Sequence, residues 1–175
     1  ERGRIFAITE KVFPFIAGDG VSTVEQLIRA DARAAIMAAT YLQRHHAIRD
    51  KVLDSGQRLK LVEAGNHCQG CIFRDGMHLW SEQLETRIDQ ISRQMPGFFI
   101  GRYDVRYASD DDIRRGENFK ILELNGAASE ATSIYDTRNS LFQAYATLFR
   151  HWDLVFAIGA ATRKLGHRPA TLGLL

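Results

Sequence analysis

Residues 98–125, FFIGRYDVRYASDDDIRRGENFKILELN, decide how this chain is read. Phe98 to Ala108 and Phe119 to Asn125 are rich in aromatic and β-branched residues, the composition of strands. Ser109 to Asn118 between them is charged and carries Gly116, which predicts an exposed connection joining antiparallel neighbours. Side chains alternate across a strand, so Arg102 and Asp104 share one face, as do Glu123 and Asn125. A hairpin centred near Ile113 and Arg114 sets Asp104 across from Glu123 and Arg102 across from Asn125, with all four polar groups on one face. The opposite face then pairs Val105 with Leu122 and Tyr103 with Leu124, an apolar surface for helices to cover.

Two carboxylates directly across a strand pair repel and need compensation. Arg102 could supply it alone, as a structural salt bridge. A hard divalent cation is the alternative, because an oxygen-only set of Asp, Glu and Asn suits Mg2+, which is held by one or two carboxylates plus substrate phosphates.

Outward from this stretch, Arg4 to Ala17 reads as extended structure that reverses at Gly18-Asp19-Gly20, where Asp19 closes the turn. Ser22 with Glu25 forms a predicted capping box, and Val24, Leu27 and Ile28 give helical spacing behind it, continuing through Ala32 to Tyr41. Strand-like character returns from Arg58 to Arg74. Leu79 to Met95 is an amphipathic helix with Leu84, Ile88 and Ile91 on one face, stopped by Pro96. From Arg138 to Leu165, Leu141, Tyr145, Leu148, Trp152, Val155 and Phe156 recur at helical spacing, which predicts a core-packing stripe. Helices mixed with antiparallel strands make the fold class α+β.

The whole-chain numbers exclude several classes. At 175 residues the chain is the size of about one domain. With 45% hydrophobic and 25% charged residues it is neither disordered nor fibrous. Lys and Arg number 23 against 21 Asp and Glu, a net charge of +2 that gives no reason to expect nucleic acid or an anionic membrane as partner. The most apolar stretch, Leu141 to Ala161, is broken by Arg150, His151 and Asp153, so no membrane span is expected. The start, Glu1-Arg2-Gly3-Arg4, has neither an initiating Met nor a signal-type apolar segment, which reads as an excised or processed piece of a cytoplasmic protein. Cys68 and Cys71 form one C-x-x-C, either a redox pair or half a zinc site with His67, His45 or His46, or simply two reduced thiols at the start of a strand. Asn66 and His67 either line a pocket or belong to a loop. Gly126 to Glu130, followed by Thr132 and Ser133, either brings backbone N–H groups to a substrate or only leads into a helix. Asp110-Asp111-Asp112 reads as solvated surface.

An R-x-D strand followed by an E-x-N strand resembles the magnesium-binding core of the ATP-grasp superfamily of carboxylate-amine ligases, such as D-alanine-D-alanine ligases. Gly18-Asp19-Gly20-Val21-Ser22-Thr23-Val24-Glu25-Gln26-Leu27-Ile28 is similar to the GDG-x-ST-x-x-x-LI segment of ATP-grasp ligases such as cyanophycin synthetase. The two matches occur in the family's order and span about Arg4 to Asp136. The resemblance implies the C-terminal ATP-grasp subdomain, a mainly antiparallel sheet covered by helices, over residues 21–175, with residues 1–20 ending the ATP-covering subdomain. It implies ATP and Mg2+ as cofactors, with Asp104, Glu123 and Asn125 as metal ligands, Arg102 and Asn125 as nucleotide contacts, and Arg102 as the catalytic guanidinium on the transferring phosphate. ATP would phosphorylate a substrate carboxylate, and an amine would attack the acyl-phosphate to form an amide.

Members of the superfamily are near twice this length, so the resemblance also implies an N-terminal part of the same enzyme as partner. A homodimer is a further possible association. Alone, the chain is then expected to bind ATP weakly and not to turn over. The alternative is a nucleotide-binding or structural domain of the same shape without catalysis.

Overall fold

The structure is a computed structural model that describes residues 2–168. It is a mixed α+β fold of small strand pairs and helices. Among the described residues six strands, β1 (Thr9–Val12), β2 (Phe15–Ala17), β3 (Arg58–Lys60), β4 (Ile72–Asp75), β5 (Arg102–Tyr107) and β6 (Phe119–Asn125), form three two-stranded pairs: β1 with β4, β2 with β3, and β5 with β6. The α-helices are α1 (Val24–Ala30), α2 (Ala38–Arg44), α3 (Glu82–Ser92), α4 (Asp110–Arg114) and α5 (Leu141–Lys164), with short 3-10 turns between them. The chain divides into two compact units, residues 10–74 and residues 2–9 with 75–168.

In the 10–74 unit, β2 and β3 are antiparallel, with Ile16 opposite Leu59. Ile16 is buried with Val24, Ile28, Tyr41, Leu53 and Leu61 in one apolar core. The Gly18-Asp19-Gly20 reversal carries α1, but the cap lies one residue later than the sequence predicts. The Asp19 carboxylate accepts from the backbone N–H of Val21 and Ser22 and from the Ser22 hydroxyl. That hydroxyl bond and the two N–H bonds hold the Asp19 carboxyl down to about 2. With Ser22 occupied, Thr23 becomes the N-cap and closes a capping box with Gln26. The helical stretch expected to run on to Tyr41 is interrupted after Ala30, where Asp31 accepts from Arg33 and Ala34 and starts a 3-10 turn.

Gly70 sits at φ +87°, where a Cβ would collide with the Tyr41 hydroxyl. That hydroxyl donates to the Gln69 carbonyl, 2.9 Å away. Cys68 is exposed and Cys71 buried, both as free thiols, and burial pushes the Cys71 thiol up. Asn66 caps the 3-10 turn at His67–Gln69, and the His67 ring packs edge-on against Phe73.

In the other unit, Leu79, Leu84 and Ile113 form a small buried cluster joined by Ile5, Ile8, Ile88, Tyr107 and Phe119. The predicted helix from Leu79 to Met95 is shorter, beginning after the Ser81 cap. Residues 109–118, expected as an exposed connection, contain α4: Ser109 caps it and its buried Ile113 enters the cluster. The acidic run is therefore only partly solvated surface, because Asp112 bonds Ser109, Arg115 and Asn118.

The expected stripe on the last helix is present but not as core. Along α5 the half-buried positions are Ala144, Thr147, Leu148, Val155, Ile158 and Thr162 around a buried His151, while Tyr145, Trp152 and Phe156 are exposed. A helical period fixes that apolar groups share a face; it does not fix that the face is covered. No helix among the described residues is long and apolar enough to cross a membrane.

Candidate functional site

The β5–β6 hairpin has the register that the sequence predicts at its polar end: Arg102 opposite Asn125, Tyr103 opposite Leu124, and Asp104 opposite Glu123. Beyond Asp104 it shifts, and Val105 faces Ile121 instead of Leu122. Leu122 is thus the extra residue of a bulge on β6, 62% exposed, and its expected pairing with Val105 does not form. On the other side Tyr103 reaches α3, its hydroxyl 2.9 Å from that of Ser92. Leu124 and Ile121 stay exposed, so the apolar face expected to be roofed by helices is covered only in part.

All four polar residues lie at the end of the hairpin furthest from α4. Arg102 Nε donates to Asp104 Oδ1 at 3.2 Å, which fixes both side chains on one face. The same guanidinium donates through Nη1 to the Glu130 carbonyl at 3.4 Å, bringing the segment after β6 back over the strand pair. Arg102, Asn125 and residues 126–130 line an open cleft of about 680 Å³. A larger cleft of about 1100 Å³ lies between α3 and residues 115–121 and contains none of the four.

Two features of the site are unresolved within the protein itself. Glu123 is exposed and faces Asp104 directly, and its side chain makes no hydrogen bond or ion pair with a described residue. Asn125 Nδ2 is buried without a hydrogen-bond partner. A buried amide nitrogen left unpaired costs about 1–3 kcal/mol, and the O and N of an amide exchange places by a simple flip. Either end of Asn125 thus faces a position where an added group would be satisfied. Arg102 cancels one of the two carboxylates, leaving the pair with a net negative charge.

This donor set fits Mg2+: two carboxylates and an amide offer oxygen ligands and no thiolate or imidazole, and a guanidinium alongside suits phosphate oxygens. Among the described residues no group of three or more His, Cys, Asp or Glu gathers to hold a metal, so a site here depends on the Asn125 amide and on oxygens brought by a ligand.

The scaffold behind the cleft contains contacts the sequence does not reveal. Tyr135 Oη donates to Glu130 Oε1 at 2.5 Å, and Ser129 Oγ donates to the Gly126 carbonyl at 2.6 Å, shaping the cleft wall. Asp136, nearly fully buried, accepts from the backbone N–H of Asp75 and Arg138 and from the Arg138 guanidinium. That Arg138 pairing, with the two N–H bonds, holds its carboxyl well below the usual range despite burial. Gly101 has no room for a side chain, since a Cβ would strike the Asn125 carbonyl oxygen and the Phe98 ring. No motif marks these partners, which meet only through the fold.

No protein-family model matches this chain, and no curated protein matches it either.

Proposed function

We propose that the chain is the C-terminal catalytic subdomain of a cytoplasmic ATP-grasp carboxylate-amine ligase. The observation that carries this reading is the Asp104–Glu123 pair, set opposite each other beside the unpaired Asn125 amide, with Arg102 bonded to only one of the carboxylates. Asp104, Glu123 and Asn125 would hold Mg2+, which when bound neutralises phosphate charge and orients the nucleotide. The chain's own groups do the rest. Arg102, fixed by Asp104 and the Glu130 carbonyl, presents the remainder of its fork to the transferring phosphoryl group and stabilises the charge that spreads over its oxygens. The cleft wall at 126–130 positions the acceptor. The substrate carboxylate takes the γ-phosphoryl group and ADP leaves. An amine then forms the C–N bond and expels inorganic phosphate. Positioned charge is what such a transfer needs, and no protein nucleophile is required.

The rival reading is a salt-bridge domain without ligand, which the Arg102–Asp104 bond favours. Thermal unfolding with Mg2+ and a non-hydrolysable ATP analogue separates the two. A ligand at ten times its Kd adds roughly 1.4 kcal/mol, a rise of about 3–6 °C for a chain of this size. The ligase reading expects that rise in wild type and its loss in Asp104→Ala and Glu123→Ala. No rise, or the same rise in both variants, supports the structural reading.

A further inference from the structure

The five aromatic residues Phe142, Tyr145, Phe149, Trp152 and Phe156 lie on α5 at intervals of three, four, three and four, a two-heptad repeat. All are between 41% and 87% exposed. The helix is anchored to its own unit by another stripe, through Leu148, His151 and Val155, with the His151 ring edge-on to Phe6. At 100° per residue the two stripes are centred about 110° apart around the helix, so the anchoring contacts leave the aromatic row open.

We propose that this row is a homodimer interface in which α5 packs antiparallel against α5 of a second copy. Three properties select a second copy. The first is that a seven-residue repeat is the spacing a helix uses to interlock with another helix. The second is shape. In the antiparallel register that places Phe149 against Trp152 of the other copy, Tyr145 meets Phe156, and Phe142, the most exposed of the row, meets Gly159. Gly159 is the bare position in the stripe's next heptad slot, and a Cβ there would touch nothing within 4 Å. The most exposed ring of the row thus faces the row's glycine, and twofold symmetry repeats the match at both ends. At the rim Asp153 faces Ala146, so no like charges are opposed.

The third is area. An aromatic side chain buries about 150–250 Å², and scaled by exposure the five offer at most roughly 650 Å² per copy. The total, about 1,300 Å², falls within the standard size of a specific interface.

Sedimentation velocity on the chain from about 1 to 100 μM tests this, since an interface of this size and apolar content is expected to have a micromolar or tighter Kd. Wild type is expected to sediment at twice the 19.8 kDa of the chain. Phe149→Glu places a charge at the centre of the row and should weaken association by about 30-fold or more. Gly159→Leu fills the notch and should weaken it by at least about tenfold, while raising the melting temperature because leucine favours a helix over glycine. That rise shows the variant is folded. In a Cys68→Ser background, Phe142→Cys/Gly159→Cys should cross-link between chains, and Phe142→Cys alone should not. A wild type that stays monomeric, including one that instead binds phosphatidylserine vesicles, overturns the proposal. So does dimerisation unchanged by both Phe149→Glu and Gly159→Leu, or cross-linking through Phe142→Cys alone.

Discussion

Replacing Glu123 by Gln keeps the side chain's shape and removes one of two facing charges, and its effect should change sign with the ligand. Directly opposed residues of an antiparallel pair have Cα atoms about 5.5 Å apart at most, and carboxylates held at a similar separation repel by roughly 0.75 kcal/mol in water. That lies inside the 0.2–1 kcal/mol typical of cross-strand pairs. Glu123 has no described partner to lose, so without divalent cations the variant should be more stable than wild type. At about 2–4 °C per kcal/mol for this length, the gain is near 2 °C, and it should shrink as salt screens the repulsion. With Mg2+ and the ATP analogue, wild type gains and Glu123→Gln gains little, so the order inverts. Scanning calorimetry in EDTA and in Mg2+ with nucleotide reads both arms. A Glu123→Gln variant less stable than wild type in EDTA would refute the argument, since it would mean the carboxylate has a structural partner.

Asp136→Asn should cost about 1–3 kcal/mol at neutral pH, because it weakens the charge-assisted bonds that the buried carboxylate accepts from the solvent-facing Arg138 and from two backbone N–H groups. The Asp136 carboxyl sits below its unfolded value of about 3.9, so its contribution is complete above about pH 5 and drains away as pH falls further. Acid unfolding of wild type should therefore be steeper below about pH 4 than that of Asp136→Asn; equal slopes would remove Asp136 from the acid response. Thr23→Ala should lose about 1 kcal/mol in urea unfolding through its cap bond, and a loss near zero would mean Ser22 can take over the cap. Gly101→Ala should cost about 1–3 kcal/mol by overpacking and also weaken Mg2+-nucleotide binding, since the clash falls on the Asn125 backbone; intact stability would contradict the close approach. His151→Leu removes a buried Nε2 with no partner and should raise the melting temperature, whereas a fall would point to a hidden polar partner.

How far the sequence could be read depended on which level of interaction was decisive. The limits of β6 and the pairing of Asp104 with Glu123 were legible, because alternation and a connection centred near Ile113 and Arg114 constrain strands that follow each other in the chain. The bulge after Asp104 was not, since one extra residue leaves the composition of β6 unchanged. Thr23 displaced Ser22 as the cap because Asp19 claimed the Ser22 hydroxyl, a competition between two sound local rules. The short α4 was hidden in a run of charge, where Ser109 is the start signal and Ile113 the only buried side chain. The row of aromatics on α5 gave the helix its period and said nothing of what covers it. At the site, parity paired Arg102 with Asp104 and Glu123 with Asn125, and a hairpin centre near Ile113 and Arg114 brought the two pairs to one face. The Glu130 carbonyl on Arg102 and the orphaned Asn125 amide did not, because both depend on the path the chain takes after β6.

Electron paramagnetic resonance of Mn2+, standing in for Mg2+, goes most directly to whether these oxygens hold a nucleotide-borne cation. With the ATP analogue present, wild type should immobilise the ion in a protein-dependent way, and Asp104→Ala or Glu123→Ala should return the spectrum of the Mn2+-nucleotide free in solution. A wild-type spectrum identical to that of the free complex, or one unchanged by either substitution, would contradict it.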